Sequence, residues 1–157
     1  MDQMTIEIAR LKPNSPELLI CAAWRHEAFL KSYGYSLLDS GAQLTQLATQ
    51  PDEYETPLIA LVDGRLAGIC LLVLHEFEPL HDVSPWLASL YVAPECRKQG
   101  VARKLVAAIE DQARGHCVAR LHLYTGDAQE FYLKCGWSLA EQGIANGEPY
   151  AFMIRDL

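Results

Sequence analysis

The chain has 157 residues, half of them hydrophobic, and carries a net charge of −7. This length and composition favour a single globular domain over residues 1–157, without a disordered tail. Apolar runs such as residues 67–74 are too short to cross a membrane, and the N-terminus lacks the pattern of a secretory signal. The sequence therefore predicts a cytoplasmic protein that binds no membrane, and the acidic balance argues against binding to nucleic acid.

The five cysteines are odd in number, and no two of them form a Cys-x-x-Cys pair. No combination of cysteine and histidine has the spacing of a zinc site. The sequence therefore predicts reduced thiols and no metal.

Acidic and basic side chains are separated along the chain. Residues 39–95 hold nine acids and one base, whereas residues 97–120 hold six bases and two acids. The first region suits a cation and the second an anion, with ordinary solvated surface as the alternative for both.

The first third of the chain predicts one strand followed by two helices. Apolar and polar residues alternate over residues 5–10, which indicates a strand. A helix is expected from Pro16 to about residue 33, ended by Gly34, and a shorter one over residues 41–49. One face of the first helix carries Leu19, Ala22, Ala23, His26 and Leu30.

A hairpin and an acidic loop are predicted next. Two apolar runs, residues 56–62 and 65–75, flank Asp63-Gly64, which is a strong signal for a two-residue hairpin turn. Residues 76–85 form the acidic loop.

The second half predicts a parallel crossover followed by another hairpin. A strand over residues 86–92, a helix over 101–114 and a strand over 120–124 form the crossover. A short helix over residues 128–134 precedes two strands, residues 137–141 and 149–155, with Asn146-Gly147 in the turn between them. The alternation of helices with parallel and antiparallel strands indicates an α/β (α+β) domain with a mixed sheet.

The most informative segment connects the strand over residues 86–92 to the helix that follows it. Arg97 and Lys98 are cationic, and Gly100 and Ala102 are small enough for a ligand to approach the backbone. The first N–H groups of a helix have no internal partners and lie at the positive end of its dipole. The segment therefore favours an anion site suited to a pyrophosphate, with an ordinary helix cap as the alternative.

This segment also resembles a family motif. Arg97-x-x-Gly100-x-Ala102 fits the Arg/Gln-x-x-Gly-x-Gly/Ala signature of the GNAT superfamily of acetyl-CoA-dependent N-acetyltransferases. Downstream, Phe131 to Trp137 is similar to the family's Phe-Tyr-x-x-x-Gly-Phe/Trp element.

The resemblance covers nearly the whole chain and is weakest before residue 56. It departs from the family at residues 125–127, where many relatives have an asparagine. It implies the GNAT fold: a mixed, mostly antiparallel sheet of about seven strands with about four helices, splayed at its central parallel pair.

In this family acetyl-CoA lies between the two splayed strands, with its pantetheine paired to one strand and its pyrophosphate on the loop. The resemblance therefore implies acetyl-CoA as co-substrate and no metal. The cofactor-binding residues that it implies are Leu90, Tyr91, Val92, Arg97, Lys98, Gln99, Gly100, Val101, Ala102, Asp127, Phe131 and Lys134.

The family reaction is direct attack by a neutral amine, which requires a base for the amine and an acid for the departing thiolate. Tyr132 matches the family's proton donor by position, and ring packing is the alternative for it. Glu76 is the expected base, with Glu78 and His81 nearby in the same acidic loop. Ser89 lies in the middle of its strand, and the alternation of side chains along the strand does not tell which face of the sheet it is on.

The implied function is acetyl transfer to a primary amine on a small molecule or a protein, and the acidic stretch favours a cationic acceptor. The alternative is a non-catalytic module of the same fold that senses acyl-CoA. A nucleotide-binding protein is disfavoured because neither Gly-x-Gly-x-x-Gly nor a P-loop occurs. Family members often dimerise, which makes a homodimer an expectation, although the sequence points to no interface.

Overall fold

A computed structural model describes residues 4–76 and 80–157. Its described part contains seven strands and four α-helices. The strands are β1 (Ile6–Arg10), β2 (Thr56–Val62), β3 (Arg65–Val73), β4 (Trp86–Val92), β5 (Arg120–Thr125), β6 (Ser138–Ala145) and β7 (Glu148–Asp156). The helices are α1 (Pro16–Arg25), α2 (Leu37–Ala48), α3 (Val101–Gly115) and α4 (Gln129–Lys134). None of these helices is long and apolar enough to cross a membrane.

The strands form one mixed sheet in the order β1-β2-β3-β4-β5-β7-β6. Helices cover both faces because side chains alternate along each strand. In β3, Cys70 and Leu72 pack into a cluster with α3 and Tyr132, whereas Ile69 and Leu71 pack into a second cluster with α1 and α2. The predicted α/β architecture is confirmed.

The central strands β4 and β5 run parallel and separate almost at once. Every other neighbouring pair in the sheet is antiparallel and forms an extended ladder. Between β4 and β5, the one ladder pair in the described part of the chain is Trp86 with His122. Beyond it, the edges of the two strands diverge and leave backbone hydrogen-bonding groups without a ladder partner across the gap.

A β-bulge at Ser89 accompanies this divergence. Ala88 pairs with Leu71 of β3, but Tyr91 pairs with Ile69, so β4 contains one extra residue. Ser89 has a φ of +55°, a left-handed conformation that is uncommon for residues other than glycine. Bulges bend a strand and increase its twist, which turns the second half of β4 away from β5.

Several predicted boundaries move in the structure. The α2 helix begins at Leu37 because Ser36 and Asp39 form a reciprocal capping box, four residues before the expected start. After α1, the chain continues as a short π-helical segment (His26–Leu30) and a 3₁₀ turn (Lys31–Tyr33). Gly34, with a φ of +85°, ends this helical stretch. The last two strands are longer than expected and meet at Asn146-Gly147, where both residues have positive φ.

The face of the first helix that the sequence pattern grouped together is only partly buried. Leu19 is 73% exposed, and the buried residues of α1 are Leu18, Cys21, Ala22 and Arg25. The helix is rotated by about one residue relative to the apolar pattern, because Arg25 lies inside with polar partners. Its Nε donates to Ser89 Oγ at 3.0 Å, and its Nη1 donates to Gln43 Oε1 at 2.6 Å.

The bulged strand β4 packs closely against Gly68 of β3. A methyl group at Gly68 would lie 2.8 Å from the Tyr91 carbonyl oxygen and 3.1 Å from Leu105 Cδ1. We therefore expect Gly68→Ala to lower the free energy of unfolding by about 1–3 kcal/mol, measured by urea denaturation.

Gly115→Ala is the matched control, because no heavy atom lies within 4 Å of its added methyl group. We expect its free energy of unfolding to equal or slightly exceed that of the wild type, because alanine reduces the entropy of the unfolded chain. Equal stability of the two variants would contradict the close approach of β4 to β3.

Candidate active site

The N-terminus of α3 is open and electropositive. Gly100 occupies the N-cap position at a φ of +86°, and no side chain caps the first turn. The first turn also contains no acidic residue, so no carboxylate competes for its free N–H groups. The sequence folds this way because Lys98 and Gly100 both adopt positive φ and turn the chain sharply into the helix.

A cavity of about 370 Å³ lies against this helix end. It brings together many of the residues that the sequence assigned to a cofactor. Its lining includes Val92, Arg97, Lys98, Gly100, Val101, Ala102 and Phe131. Cys96 and Arg103 also line it, which adds another cation to the site.

Arg97 fastens the end of β4 to this loop. Its Nε donates to the Val92 carbonyl at 2.9 Å, and its guanidinium lies 5.5 Å from the centre of the Tyr91 ring. Trp24 packs on the same tyrosine with ring centroids 5.2 Å apart. The first residue of the sequence motif therefore positions the strand and also contributes charge to the cavity.

Tyr132 is held by the cap that ends α4. The Trp137 N–H donates to the Tyr132 carbonyl and the Gly136 N–H donates to the Leu133 carbonyl, which is the Schellman arrangement. Gly136 has a φ of +95°, and a methyl group there would lie 2.5 Å from Arg155 Nη1. The Phe-Tyr-x-x-x-Gly-Trp element thus encodes a tight helix end that fixes the tyrosine.

The Tyr132 ring lies in the core cluster that α3 shares with the sheet, 94% removed from solvent. Burial raises the pKa of its hydroxyl well above the ordinary value. The group therefore remains protonated throughout the neutral range. Trp137 packs against it edge-on with ring centroids 5.9 Å apart.

A second cavity, of about 360 Å³, opens near the C-terminal end of β5. Aromatic and acidic side chains line it: Phe29, Tyr33, Tyr124, Tyr150, Asp127 and Glu148. Asp127 lies here, and the lining of the cavity at α3 does not include it. Lys134 is exposed at the end of α4, and its carbonyl accepts from Arg103.

Glu76 lines a third, smaller cavity of about 190 Å³ together with Arg25, Gln43 and His75. Burial lowers the pKa of the Arg25 guanidinium to about 10, and the Glu76 charge opposes that shift. Glu76 also contributes to the raised pKa of Tyr124, after burial of that ring. Glu78 lies outside the described residues.

Sequence reasoning named His81 but did not connect it with its two partners, Tyr124 and Glu141. The imidazole Nδ1 lies 2.7 Å from the Tyr124 hydroxyl, and its Nε2 contacts a carboxylate oxygen of Glu141. These residues are distant in sequence and belong to no motif, so no local signal could have grouped them.

All five cysteines are free. Within residues 4–76 and 80–157, no group of three or more His, Cys, Asp or Glu side chains is arranged to hold a metal ion.

The chain matches the model of the acetyltransferase (GNAT) family over residues 20–137. It belongs to the GNAT acetyltransferase family. No curated protein sequence matches this GNAT chain.

Solved structures with this GNAT fold include enzymes with different named acceptors. The chain is 18% identical to an aminoglycoside 6'-N-acetyltransferase complexed with coenzyme A, with a TM-score of 0.75 over 96% of each chain. It is 23% identical to the ribosomal-protein-alanine N-acetyltransferase from Brucella melitensis, with a TM-score of 0.73 over 96% of this chain and 99% of that one. It is 20% identical to the PaiA N-acetyltransferase from Thermoplasma acidophilum in complex with coenzyme A, with a TM-score of 0.71 over 98% and 99%.

The family membership makes this protein an acyltransferase, and the similarity to these structures confirms the GNAT fold. The predicted mixed, mostly antiparallel sheet with a splayed central parallel pair is therefore correct. The assignment of individual site residues stays a prediction.

Proposed function

We propose that this GNAT protein transfers an acetyl group from acetyl-CoA to a primary amine. The observation that carries the proposal is the gap between β4 and β5, which leads to an uncapped, cation-flanked helix N-terminus at Gly100. An acyl carrier with an extended amide arm and a pyrophosphate matches both parts of this surface.

The residues of the cavity at α3 fit the phosphate end of acetyl-CoA. Free N–H groups of the first helical turn and the charges of Lys98 and Arg103 favour an anion. The backbone of Leu90, Tyr91 and Val92 lies on the diverging edge of β4, where an amide-rich arm can add as a strand. Two relatives of known structure are complexes with coenzyme A, which supports the same ligand here.

Tyr132 is proposed as the acid of the reaction. The amine nitrogen attacks the thioester carbonyl, the C–N bond forms, the C–S bond breaks, and the departing thiolate takes the Tyr132 proton. The Tyr132 phenol is protonated at neutral pH, so its proton is available when the thiolate forms, and solvent restores it afterwards. The amine loses one proton to a base, so the products are an amide and free coenzyme A.

The acceptor is proposed to be a cationic amine, carried by a small molecule or a protein. The cavity near the end of β5 offers Asp127 and Glu148 together with the rings of Tyr33, Tyr124 and Tyr150. Carboxylates and aromatic faces both stabilise an ammonium group. The named acceptors of two relatives, an aminoglycoside and a ribosomal-protein alanine, also carry amino groups.

Gly100→Glu tests the phosphate site, because it places a carboxylate at the helix end. Gly100→Ala is the matched control: both variants carry the same cost of about 1–2 kcal/mol for a side chain at positive φ. We expect calorimetry to show acetyl-CoA affinity at least about tenfold weaker for the glutamate variant than for the alanine variant. Equal affinities would place the phosphates elsewhere.

Tyr132→Phe tests catalysis. Coenzyme A release is measured with spermidine, kanamycin and a peptide that begins with alanine, and acetyl-CoA affinity is measured in parallel. We expect turnover to fall by about 100-fold or more with the affinity unchanged, because the phenol supplies a proton but no binding contact. Tyr54→Phe, at a ring that packs on His116 away from the site, is the control and should keep full turnover.

The acyl-CoA-sensing alternative predicts a different result in the same assay. A sensing module would bind acetyl-CoA tightly, whereas the wild type would release no coenzyme A with any amine. Equal turnover of the wild type and Tyr132→Phe would remove the tyrosine from the mechanism and leave the transfer activity standing.

A further inference from the structure

Three titratable side chains from three segments of the chain form one hydrogen-bonded series. Tyr124 lies near the end of β5, His81 in the segment before β4, and Glu141 in β6. The Tyr124 hydroxyl is 2.7 Å from His81 Nδ1, and His81 Nε2 contacts Glu141 Oε2. The series has the order carboxylate, imidazole, hydroxyl.

The sheet places the two ends of this series in one row. Tyr124 pairs with Phe152 across β5 and β7, and Glu141 pairs with the same Phe152 across β7 and β6. Side chains of paired residues share a face, so Tyr124 and Glu141 face the same way, about 10 Å apart at the backbone. The imidazole of His81 bridges that distance.

A second β-bulge creates this row. Leu139 pairs with Met153, but Glu141 pairs with Phe152, so Ala140 is an extra residue in β6. Without the bulge, Glu141 would stand opposite Ala151, and its carboxylate would point to the other face of the sheet. Bulges commonly redirect a side chain next to an active site.

Phe152 also holds the imidazole in place. The rings of His81 and Phe152 are stacked, with centroids 3.9 Å apart and planes inclined by 8°. This stacking fixes the plane of the imidazole, so that one nitrogen meets the hydroxyl and the other meets the carboxylate.

The direction of the hydrogen bonds follows from the carboxylate. An ionised Glu141 only accepts, so in the neutral imidazole the hydrogen is on His81 Nε2, and Nδ1 accepts from the Tyr124 hydroxyl. The Leu80 N–H donates to the same hydroxyl oxygen at 3.0 Å. A phenolic oxygen has two lone pairs, so one of them can still accept a proton from a ligand.

Tyr124 stands beside the mouth of the gap between the central strands. It lies two residues beyond His122, the last residue of β5 paired with β4, and its ring centroid is 4.7 Å from that of Trp86. It also lines the cavity that we assign to the amine. Tyr132 packs in the cluster on the other face of the sheet, so the two tyrosines lie on opposite faces.

We propose that Tyr124, His81 and Glu141 form the relay that removes the proton from the attacking amine; this inference rests on the proposed acetyl transfer. The bound ammonium first gives one proton to the Tyr124 oxygen while the Tyr124 proton moves to His81 Nδ1, which leaves the neutral amine that attacks the thioester. After the imidazole has released that proton, the same path takes the second proton as the C–N bond forms. Glu141 stabilises the resulting imidazolium, in the way that a carboxylate supports the histidine of a catalytic triad. The imidazole, whose side chain is 24% exposed, then returns the proton to solvent.

Other titratable side chains lie near the relay, but in this proposal they do not carry the proton. Glu76 and Tyr150 face Tyr124, and His122 faces His81. Burial lowers the pKa of His122, and its Nδ1–H donates to the Pro85 carbonyl at 2.9 Å, so this second histidine stays neutral. In this assignment Tyr124 and His81 carry the proton, and Glu141 is a positioning residue.

The experiment compares Tyr124→Phe, His81→Gln and Glu141→Gln with the wild type, on the amine among spermidine, kanamycin and an alanine-initiated peptide that the wild type turns over fastest. At neutral pH we expect about 100-fold lower kcat for the first two variants and about tenfold lower kcat for the third, with unchanged affinity for acetyl-CoA. The double variant of His81 and Glu141 should be no slower than His81→Gln alone, because the carboxylate acts through the imidazole.

A pH profile separates this role from a structural one. The loss of kcat in the relay variants should become smaller as the pH rises, because more of the amine is then already neutral and does not need the relay to deprotonate it. Glu7→Gln, at an exposed position on β1, should match the wild type at every pH. If the loss of kcat in the variants is the same at every pH, or if the variants keep full activity, the relay is contradicted while the proposed acetyl transfer still stands. No turnover of any amine by the wild type would overturn the proposed function and the relay together.

Discussion

The whole site depends on the short contact between β4 and β5. A sheet that stayed closed here would satisfy its own backbone and leave no surface for an extended ligand. The chain keeps one pair at Trp86 and then bends β4 at Ser89, with the bulge stabilised by the hydrogen bond from the buried Arg25. Because Gly68 has no side chain, the bent strand can still pack tightly on β3. The gap is therefore built into the pairing of the sheet.

Two groups of side chains lie near this gap. On one face, the loop into α3 carries cationic groups and the cap of α4 holds the buried phenol of Tyr132. On the other face, the ends of β5, β6 and β7 bring an aromatic and acidic cavity next to the imidazole of His81. In the proposed mechanism, the acid for the leaving thiolate and the base for the amine therefore lie on opposite faces of the sheet.

The parts of this site that the sequence predicted are local ones. Arg97 to Ala102 and Phe131 to Trp137 encode a helix start and a helix end, and each depends on residues a few positions apart. The bulges at Ser89 and Ala140 depend on the pairing register with the neighbouring strands β3 and β7. The alternation of apolar and polar residues does not report that register, so it predicted the direction of neither Ser89 nor Glu141. The buried position of Arg25 likewise depends on Ser89 and Gln43, which an apolar pattern does not report. Cofactor binding by Asp127 remains a prediction, although this residue lines the cavity near the end of β5.

Hydrogen exchange with and without acetyl-CoA tests the central claim most directly. If the gap between β4 and β5 receives the acyl carrier, binding should slow exchange in peptides that cover β4 and the first turn of α3, where amide groups gain partners. Peptides from α2, which packs mainly on α1 and β2, should be unaffected. Saturating acetyl-CoA that leaves residues 87–103 unprotected would contradict the account, because the ligand would then bind outside the gap.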